Sequence, residues 1–370
     1  MKTHKPKLIL AMIVKNEARC IEKCLDAALP FVDEAVIADT GSTDDTVEII
    51  SRVASGQAKH VHLYHFEWTG SFSDARNFTL EQAERHGADW ILVLDADEYL
   101  RKPDCDPTDF LQKLSEDKNA GAGYLTIYSD YLNADGSKET ETALVTRLLP
   151  RGTRYSGSIH EQPKTTGKNI LTPFVADHDG YLDQFKGERN LKYLIKELEK
   201  TPNDAYLLFQ TGASLRSLQR TTEAAGYFER FYEQVKGDEE ALRHVFVQDG
   251  IVRYLYTLMD LNTKASMEKA LSIVTETEKY FKDSSDFYFA RGLFFMKLVL
   301  FDTARYIGYL PEIEKSYLTC LQIGERAGVS SVRGTGSFKA YHNLSLYYRL
   351  TGDEKRAAEC DEAEKRAMQE

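Results

Sequence analysis

The first third of the chain alternates short apolar runs with amphipathic stretches. The runs that have the length and apolar content of buried strands are Leu8–Val14, Glu34–Ala38, His60–Phe66, Trp90–Leu94 and Gly123–Tyr128. Helical patterns begin between these runs, near Glu17, Asp44, Ser73 and Pro107. This alternation predicts a mostly parallel sheet with helices on both faces, and such folds bind ligands at the carboxyl ends of their strands.

The second half of the chain follows a different pattern. Ala143–Leu149 predicts one more strand and Arg151–Pro163 a loop, but after Phe185 the pattern is that of amphipathic helices. Four helices are predicted over Asp204–Ser217, Glu240–Met259, Asp286–Leu300 and Ser337–Leu350. A shorter second helix is expected after each of them. The irregular spacing indicates a degenerate tetratricopeptide-like array.

We therefore expect an α/β domain over residues 1–185 and an all-α helical repeat domain over residues 186–370. Stacked helix pairs present a concave surface, which would bind an acceptor or mediate a homodimer. The alternative is a helical cap that only stabilises the first domain.

The amino-acid composition argues against several classes of protein. The chain has 47 basic and 58 acidic residues among 370, a formal charge of −11, and it contains no basic stripe, which argues against nucleic acid as a partner. The longest apolar run near the start, Leu8–Val14, is too short to span a bilayer, so we expect no transmembrane segment. Five scattered cysteines form no disulfide framework. These features predict a soluble, cytoplasmic protein.

Acidic residues follow two of the predicted strands. Asp95 and Asp97 come directly after Trp90–Leu94, and two carboxylates one residue apart can share a divalent cation. Asp39 ends the second strand, where a carboxylate can accept hydrogen bonds from a nucleobase or a ribose. After the first strand, Asn16 is expected to cap a helix that has Glu17 in its first turn. Neither a G-x-G-x-x-G nor a P-loop sequence occurs, which disfavours dinucleotide and P-loop chemistry.

Four motifs in this order carry a resemblance to a known family: Lys15-Asn16-Glu17, Asp39-Thr-Gly-Ser-Thr-Asp-Asp-Thr46, Phe72-Ser-Asp-Ala-Arg76-Asn77 and Asp95-Ala96-Asp97. Together they resemble the nucleotide-sugar domain of family 2 glycosyltransferases, which has the GT-A fold, a Rossmann-like sheet, and transfers a sugar with inversion. The resemblance implies that Glu17 and Asp39 bind the uridine of a UDP-sugar. It also implies that Arg76 contacts the nucleotide or its phosphate, while Asp95 and Asp97 hold Mg²⁺ or Mn²⁺ on the diphosphate.

The donor-binding set that these motifs imply is Asn16, Glu17, Asp39, Ser42, Arg76, Asp95, Ala96 and Asp97. Arg147 and Arg151 are further candidates for binding diphosphate oxygens. Trp68 and Phe72 could stack on the base or the sugar, although helix-sheet packing explains them almost as well.

A more specific likeness involves Gly157-Ser-Ile-His160-Glu161-Gln-Pro163, Asp177-His178-Asp179 and the helical repeats. These segments are similar to those of the bacterial S-glycosyltransferases that modify cysteines of glycocin peptides, a class of bacteriocin. The resemblance implies a peptide acceptor, with a cell-surface glycan or a lipid-linked sugar as the alternative. A rival from another class is a Mg²⁺-dependent nucleotidyltransferase, which would need a glycine-rich, basic loop after the first strand.

Inverting transfer needs a base and positive charge on the departing diphosphate. Glu161 is the candidate base, with His160 beside it, and either residue could instead position the diphosphate. His178 lies just after a further strand, between two aspartates, and is a candidate third metal ligand that suits Mn²⁺ better than Mg²⁺. A structural role for this histidine is the alternative.

Overall fold

A computed structural model describes residues 5–56, 60–117, 119–132, 138–179, 184–326 and 328–369. The chain divides into two compact units. The first consists of residues 1–181 and 328–330, and the second of residues 182–327 and 331–370. Each unit has a hydrophobic core of its own.

The first unit is built on a mixed β-sheet. Its strands are β1 (Leu8–Val14), β2 (Glu34–Asp39), β3 (His60–His65), β4 (Trp90–Val93), β5 (Glu98–Leu100), β6 (Ala120–Leu132), β7 (Lys138–Pro150), β8 (Arg154–Ser156), β9 (Gln162–Lys164) and β10 (Lys168–His178). The main sheet has the order β3-β2-β1-β4-β7-β6-β10-β5, and β8 pairs with β9 separately. Strands β3, β2, β1 and β4 are parallel, and so are β6 and β10. The β4–β7, β6–β7 and β5–β10 pairs are antiparallel.

Helices cover both faces of this sheet, because the strands are apolar on both sides. The helices are α1 (Ile21–Ala28), α2 (Thr46–Gly56), α3 (Phe72–Arg85) and α4 (Pro107–Glu116), with a short 3₁₀ helix over Leu29–Phe31. Alternate residues of β1 enter different cores: Leu8 and Leu10 pack with Leu25 of α1, whereas Ile9 packs with Leu80 of α3.

The predicted strands of this unit are present, and the structure adds others. Strand β8 lies inside Arg151–Pro163, which was expected to be a loop throughout, and β9 begins at its end. The three-residue strand β5 and the long strand β10 were not delimited from the sequence. Because β5 pairs with β10, the residues after β4 lie at the edge of the sheet, beside the end of β10.

The second unit is helical. Its helices are α5 (Gln184–Lys200), α6 (Ala205–Ser217), α7 (Thr221–Val235), α8 (Val245–Leu261), α9 (Lys264–Thr277), α10 (Ser285–Phe301), α11 (Thr303–Tyr306), α12 (Leu310–Ile323), α13 (Phe338–Thr351) and α14 (Glu354–Ala367). Short 3₁₀ helices cover Ala241–Arg243, Glu278–Tyr280 and Ile307–Tyr309, and Ser331–Val332 is a two-residue strand.

Consecutive helices of this unit pack against each other as helical hairpins. Examples are α6 with α7 and α13 with α14. Glycines permit close approach between them: a Cβ at Gly212 would lie 2.9 Å from Phe228 Cδ1, and one at Gly250 would lie 2.6 Å from Phe231 Cζ. The prediction of an α/β domain followed by tetratricopeptide-like helices is thus confirmed. Within the described ranges, no helix is both long enough and apolar enough to cross a bilayer.

Candidate active site

Two loops at the carboxyl ends of β1 and β2 are joined by hydrogen bonds. Asn16 has a left-handed backbone, with φ of 57°, and its N–H donates to Ser42 Oγ at 2.9 Å. Its side-chain Oδ1 accepts from the Thr43 N–H at 2.7 Å. Helix α1 begins only at Ile21, so the expectation that Asn16 caps it with Glu17 in the first turn is wrong. The Asn16 side chain instead bridges the two loops.

Asp39 ends β2 and is 5% exposed. Its carboxylate accepts hydrogen bonds from the N–H groups of Gly41 at 3.0 Å and Ser42 at 3.1 Å. Gly41 has φ of 100°, a conformation that glycine adopts without strain. Asp39 therefore shapes the β2 loop at the sheet edge. The uridine contacts of Glu17 and Asp39 stay predictions.

Five charged side chains form one ion-pair cluster at the same edge: Arg76 of α3, Asp95 after β4, Glu98 of β5, Arg147 of β7 and Glu161 before β9. Arg76 Nε donates to Glu161 Oε1, and Arg76 Nη2 donates to Asp95 Oδ1 at 2.8 Å. Arg147 Nη2 donates to both Asp95 Oδ2 and Glu98 Oε1, at 2.5 Å each. The structure thus brings Arg76, Arg147, Asp95 and Glu161 into one contact network.

Burial and pairing in this cluster shift the pKa values in opposite directions. Burial alone would raise the pKa of Asp95, but Arg147 and Arg76 outweigh burial and hold that pKa well below its usual range. The pKa of Glu98 is raised, because burial and the nearby Asp95 disfavour its charge more than Arg147 favours it. Asp95 is therefore an anion near neutral pH, while Glu98 holds its proton more tightly than an ordinary glutamate.

His160 and Glu161 lie in the turn between β8 and β9. His160 has φ of 48°, a left-handed conformation that is uncommon for a residue with a side chain. Its Nε2 is buried and has no hydrogen-bond partner among the described residues. Burial lowers the pKa of this imidazole, although Glu161 opposes the shift. A neutral, desolvated histidine thus lies beside the candidate base, on a turn whose Ser158 carbonyl accepts from the Phe72 N–H of α3 at 2.8 Å.

Asp97 and His178 lie together, since His178 ends β10 and the Asp179 N–H donates to the Asp97 carbonyl at 3.0 Å. His178 Nε2 is 3.6 Å from Asp97 Oδ2, and Ser129 Oγ is 3.2 Å from His178 Nδ1. The nearby Asp97 carboxylate raises the pKa of His178 despite the burial of the imidazole. A carboxylate and an imidazole at this spacing fit two ligands of one divalent ion. Both oxygens of Asp95, in contrast, accept hydrogen bonds from arginines.

The remaining candidates lie in packed or surface positions, and their donor contacts stay predictions. Ala96 is 4% exposed and part of the hydrophobic core, and its place in the donor site stays a prediction. Trp68 and Phe72 pack edge to face, with ring centroids 4.9 Å apart. Arg151 is exposed, and its Nη1 donates to the Ala88 carbonyl at 3.2 Å.

Residues 10–170 match the family model described as glycosyl transferase family 2. This chain carries a family 2 glycosyltransferase domain. It is similar to the SPbeta prophage-derived glycosyltransferase SunS of Bacillus subtilis, with 26% identity over 289 residues, 75% of this chain and 64% of SunS. The chain thus spans less than two thirds of the length of that curated relative.

Two further similarities concern repeat proteins. A TPR repeat-containing protein of Synechococcus elongatus is 42% identical over 91 residues, which are 25% of this chain and 20% of that protein. Among solved structures, MamA from Desulfovibrio magneticus RS-1 covers 50% of this chain and 88% of its own, with 16% identity and a TM-score of 0.39.

Three residues that support the ion-pair cluster were given no role from the sequence. Glu98 is 4% exposed, and its Oε2 accepts from the Asp95 N–H at 2.9 Å. Asn77 exchanges two hydrogen bonds with the backbone of Tyr155, at 2.7 and 3.0 Å, and the Tyr155 ring lies 5.6 Å from the Arg76 guanidinium. The signal for Asn77 was its place directly after Arg76 in the motif.

Proposed function

We propose that this protein is a metal-dependent inverting glycosyltransferase that moves a sugar, expected to be a hexose, from a UDP-sugar to a peptide side chain. One observation carries the proposal. Arg76 Nη1 and Arg147 Nε are buried and have no hydrogen-bond partner within the part of the chain that the structure describes. Buried donors are nearly always paired, and guanidinium groups bind phosphate oxygens well. A diphosphate at this sheet edge would supply the missing acceptors.

The proposed step is a single displacement at the anomeric carbon. The acceptor atom forms its bond to that carbon while the bond to the UDP oxygen breaks, and the electron pair leaves with the diphosphate. Arg76 and Arg147 would orient the diphosphate, and Glu161 would take the proton of the acceptor through the carboxylate oxygen that does not accept from Arg76 Nε. Asp97 and His178 would hold a divalent ion, which when bound supplies positive charge to the leaving group.

Cysteine is the leading acceptor in this proposal. A thiol has a pKa of about 8.5, so it loses its proton to a carboxylate far more readily than an alcohol does. The similarity to SunS supports a glycosyltransferase, and the likeness to the glycocin enzymes supports a peptide acceptor. A cell-surface glycan or a lipid-linked sugar is the alternative acceptor. A nucleotidyltransferase is disfavoured because residues 15–20, after β1, contain no glycine.

The donor and metal parts are tested by UDP release from a panel of UDP-sugars, with and without a chelator. Asp97→Ala is expected to abolish metal-dependent release, and Asp109→Ala, at an exposed acid of α4, serves as the matched control. Unchanged release by Asp97→Ala, or full activity in chelator, would refute the metal assignment.

The base is tested separately with Glu161→Gln. We expect transfer to fall by about 10²–10⁴, the usual contribution of a general base, while the Kd for UDP changes little. Glu116→Gln, an exposed glutamate at the end of α4, is the control. Transfer within a few-fold of wild type would remove Glu161 from this role.

The acceptor is tested by incubating the enzyme with a UDP-sugar and a peptide that contains both cysteine and serine, followed by fragmentation to locate the added mass. Addition to cysteine supports the proposal. Addition to serine alone, or only to a glycan, would contradict it.

A further inference from the structure

Two histidines and a glutamate meet at the edge of the sheet opposite the donor-site candidates. Glu34 begins β2, His62 lies in β3, and His86 directly follows α3. Asp39 ends the same strand β2, five residues after Glu34, so the two edges are separated by roughly 16 Å along the strand. Within the described residues, Glu34, His62 and His86 each offer one ligand atom, and these atoms all lie within 4.8 Å of one another.

The three ligand atoms converge on one point. His62 Nε2 lies 2.9 Å from Glu34 Oε2, and His86 Nδ1 lies 3.5 Å from the same oxygen. In a tetrahedral zinc site with bonds of about 2.0–2.1 Å, neighbouring ligand atoms are about 3.3 Å apart. The observed separations bracket that distance. The two imidazole rings are stacked, with centroids 3.8 Å apart, so both nitrogens approach the carboxylate from one side.

Surrounding groups orient these side chains as outer partners do in metal sites. Tyr64 Oη is 2.8 Å from His86 Nε2, which leaves Nδ1 as the nitrogen that faces Glu34. Lys7 Nζ donates to Glu34 Oε1 at 2.5 Å and to the His86 carbonyl at 2.8 Å, which leaves Oε2 facing the histidines. Hydrogen bonds of this kind fix the tautomer and the direction of ligands in protein metal sites.

The cluster is also accessible from solvent. The side chains of Glu34, His62 and His86 are 15%, 28% and 27% exposed. This leaves room for a water molecule as a fourth ligand, the usual complement of three protein ligands on zinc. Imidazole nitrogens favour zinc and similar transition metals, whereas Mg²⁺ prefers oxygen ligands.

We propose that Glu34, His62 and His86 form a transition-metal site of the zinc class, separate from the donor site. The ion would link the start of β2, the middle of β3 and the end of α3, three segments that are distant in sequence. Its role is to stabilise the first unit, because an ion that binds only the folded state shifts the folding equilibrium toward that state. The proposal does not depend on the transfer reaction.

The test measures zinc binding by the full-length chain in an Asp97→Ala background, which removes a carboxylate of the proposed donor metal site. After treatment with a chelator, the protein is dialysed against Zn²⁺ and its metal content is measured. We expect one equivalent of zinc that excess Mg²⁺ does not displace, and a higher Tm with zinc than without it. His62→Ala and His86→Ala should both lose this equivalent and the zinc-dependent rise in Tm.

The matched control is His244→Ala, which removes an exposed histidine of the helical unit and should leave the zinc content unchanged. Tyr64→Phe keeps all three ligands and removes only the hydroxyl on His86, so it should weaken zinc binding by about 10- to 100-fold. Co²⁺ should give the intense visible absorption of four-coordinate cobalt, and this absorption should disappear in His62→Ala.

Three results would overturn the proposal. The first is no zinc bound by the parent protein, and the second is equal zinc content in the parent, His62→Ala and His86→Ala. The third is an equal decrease in Tm caused by His62→Ala with and without zinc, which would identify the cluster as an ordinary ion pair. None of these results depends on sugar transfer, so they are distinguishable from a failure of the proposed function.

Discussion

The buried pair between Arg147 and Glu98 allows a quantitative test of the site. Both residues are almost fully buried, 8% and 4% exposed, and their charged atoms are 2.5 Å apart. The Arg147→Met variant keeps a similar apolar stem but leaves the Glu98 carboxylate buried without its cation. Removal of one partner from a buried ion pair costs about 3–5 kcal/mol. Asp95 adds little to this loss, because its side chain is 36% exposed and keeps Arg76.

The measurement is urea unfolding followed by tryptophan fluorescence. The two tryptophans of the chain, Trp68 and Trp90, both belong to the first unit, so fluorescence reports the unfolding of the unit that contains the pair. With a urea m value of about 2 kcal/mol per M, the midpoint should fall by about 2 M. Arg151→Met, at an exposed arginine nearby, is the control and should change stability by less than about 0.5 kcal/mol.

The dependence on pH sharpens this prediction. The pKa of Glu98 is already raised in the folded protein, and without Arg147 it should rise further. A carboxyl whose folded pKa exceeds its unfolded value loses stabilising free energy as pH rises between those two values. The deficit of Arg147→Met should therefore be smaller at pH 5 than at pH 8.

A second substitution isolates the buried charge. Glu98→Gln in the Arg147→Met background removes that charge and should recover about 1–3 kcal/mol, the range for residues in contact. A midpoint within about 0.5 M of wild type for Arg147→Met, or a double variant no more stable than Arg147→Met alone, would refute the reasoning.

Two further predictions concern packing and thiol reactivity. Gly250→Ala should destabilise the helical unit, because a Cβ there would lie 2.6 Å from Phe231 and overpacking costs about 1–3 kcal/mol. A Cβ at Gly226 would meet open space, so Gly226→Ala should stabilise its helix by about 0.5–1 kcal/mol. Urea unfolding followed by far-UV circular dichroism measures both, and equal effects of the two variants would contradict the packing argument. Under native conditions at pH 8, iodoacetamide should label Cys105, which is exposed, well before Cys20, because burial raises the pKa of the Cys20 thiol to about 12. Mass spectrometry of peptides measures the order, and early labelling of Cys20 would contradict its burial.

The bounds of a strand were clearest in the sequence where its residues are apolar throughout. Leu8–Val14 has the predicted bounds because six of its seven residues are buried, so its pattern is unambiguous. Strand β10 (Lys168–His178) contains Pro173, and a proline weakens the sequence pattern of a strand. Strand β5 begins with Glu98, whose charge suggests solvent exposure until the position of Arg147 is known.

The motifs predicted which charged residues would matter but not their partners. Arg76 and Glu161 are separated by 85 positions in sequence, and their contact depends on how β8 and β9 place the turn beside α3. No local spacing encodes such a contact. Likewise, the sequence of β3 gave no reason to pair His62 with His86, since their proximity arises from the return of α3 toward the start of the strands.

The bridge between the β1 and β2 loops has a consequence for conformational entropy. Besides the hydrogen bonds of Asn16, the Glu17 N–H donates to Thr46 Oγ1 at 2.8 Å and the Ala18 N–H donates to Asp44 Oδ2 at 3.1 Å. Ordering a free backbone costs about 1–2 kcal/mol per residue. Because folding itself orders these loops, a donor that binds there would lose little affinity to loop ordering. Removing the Asn16 side chain, which accepts from the Thr43 N–H, would transfer part of that entropic cost from folding to binding.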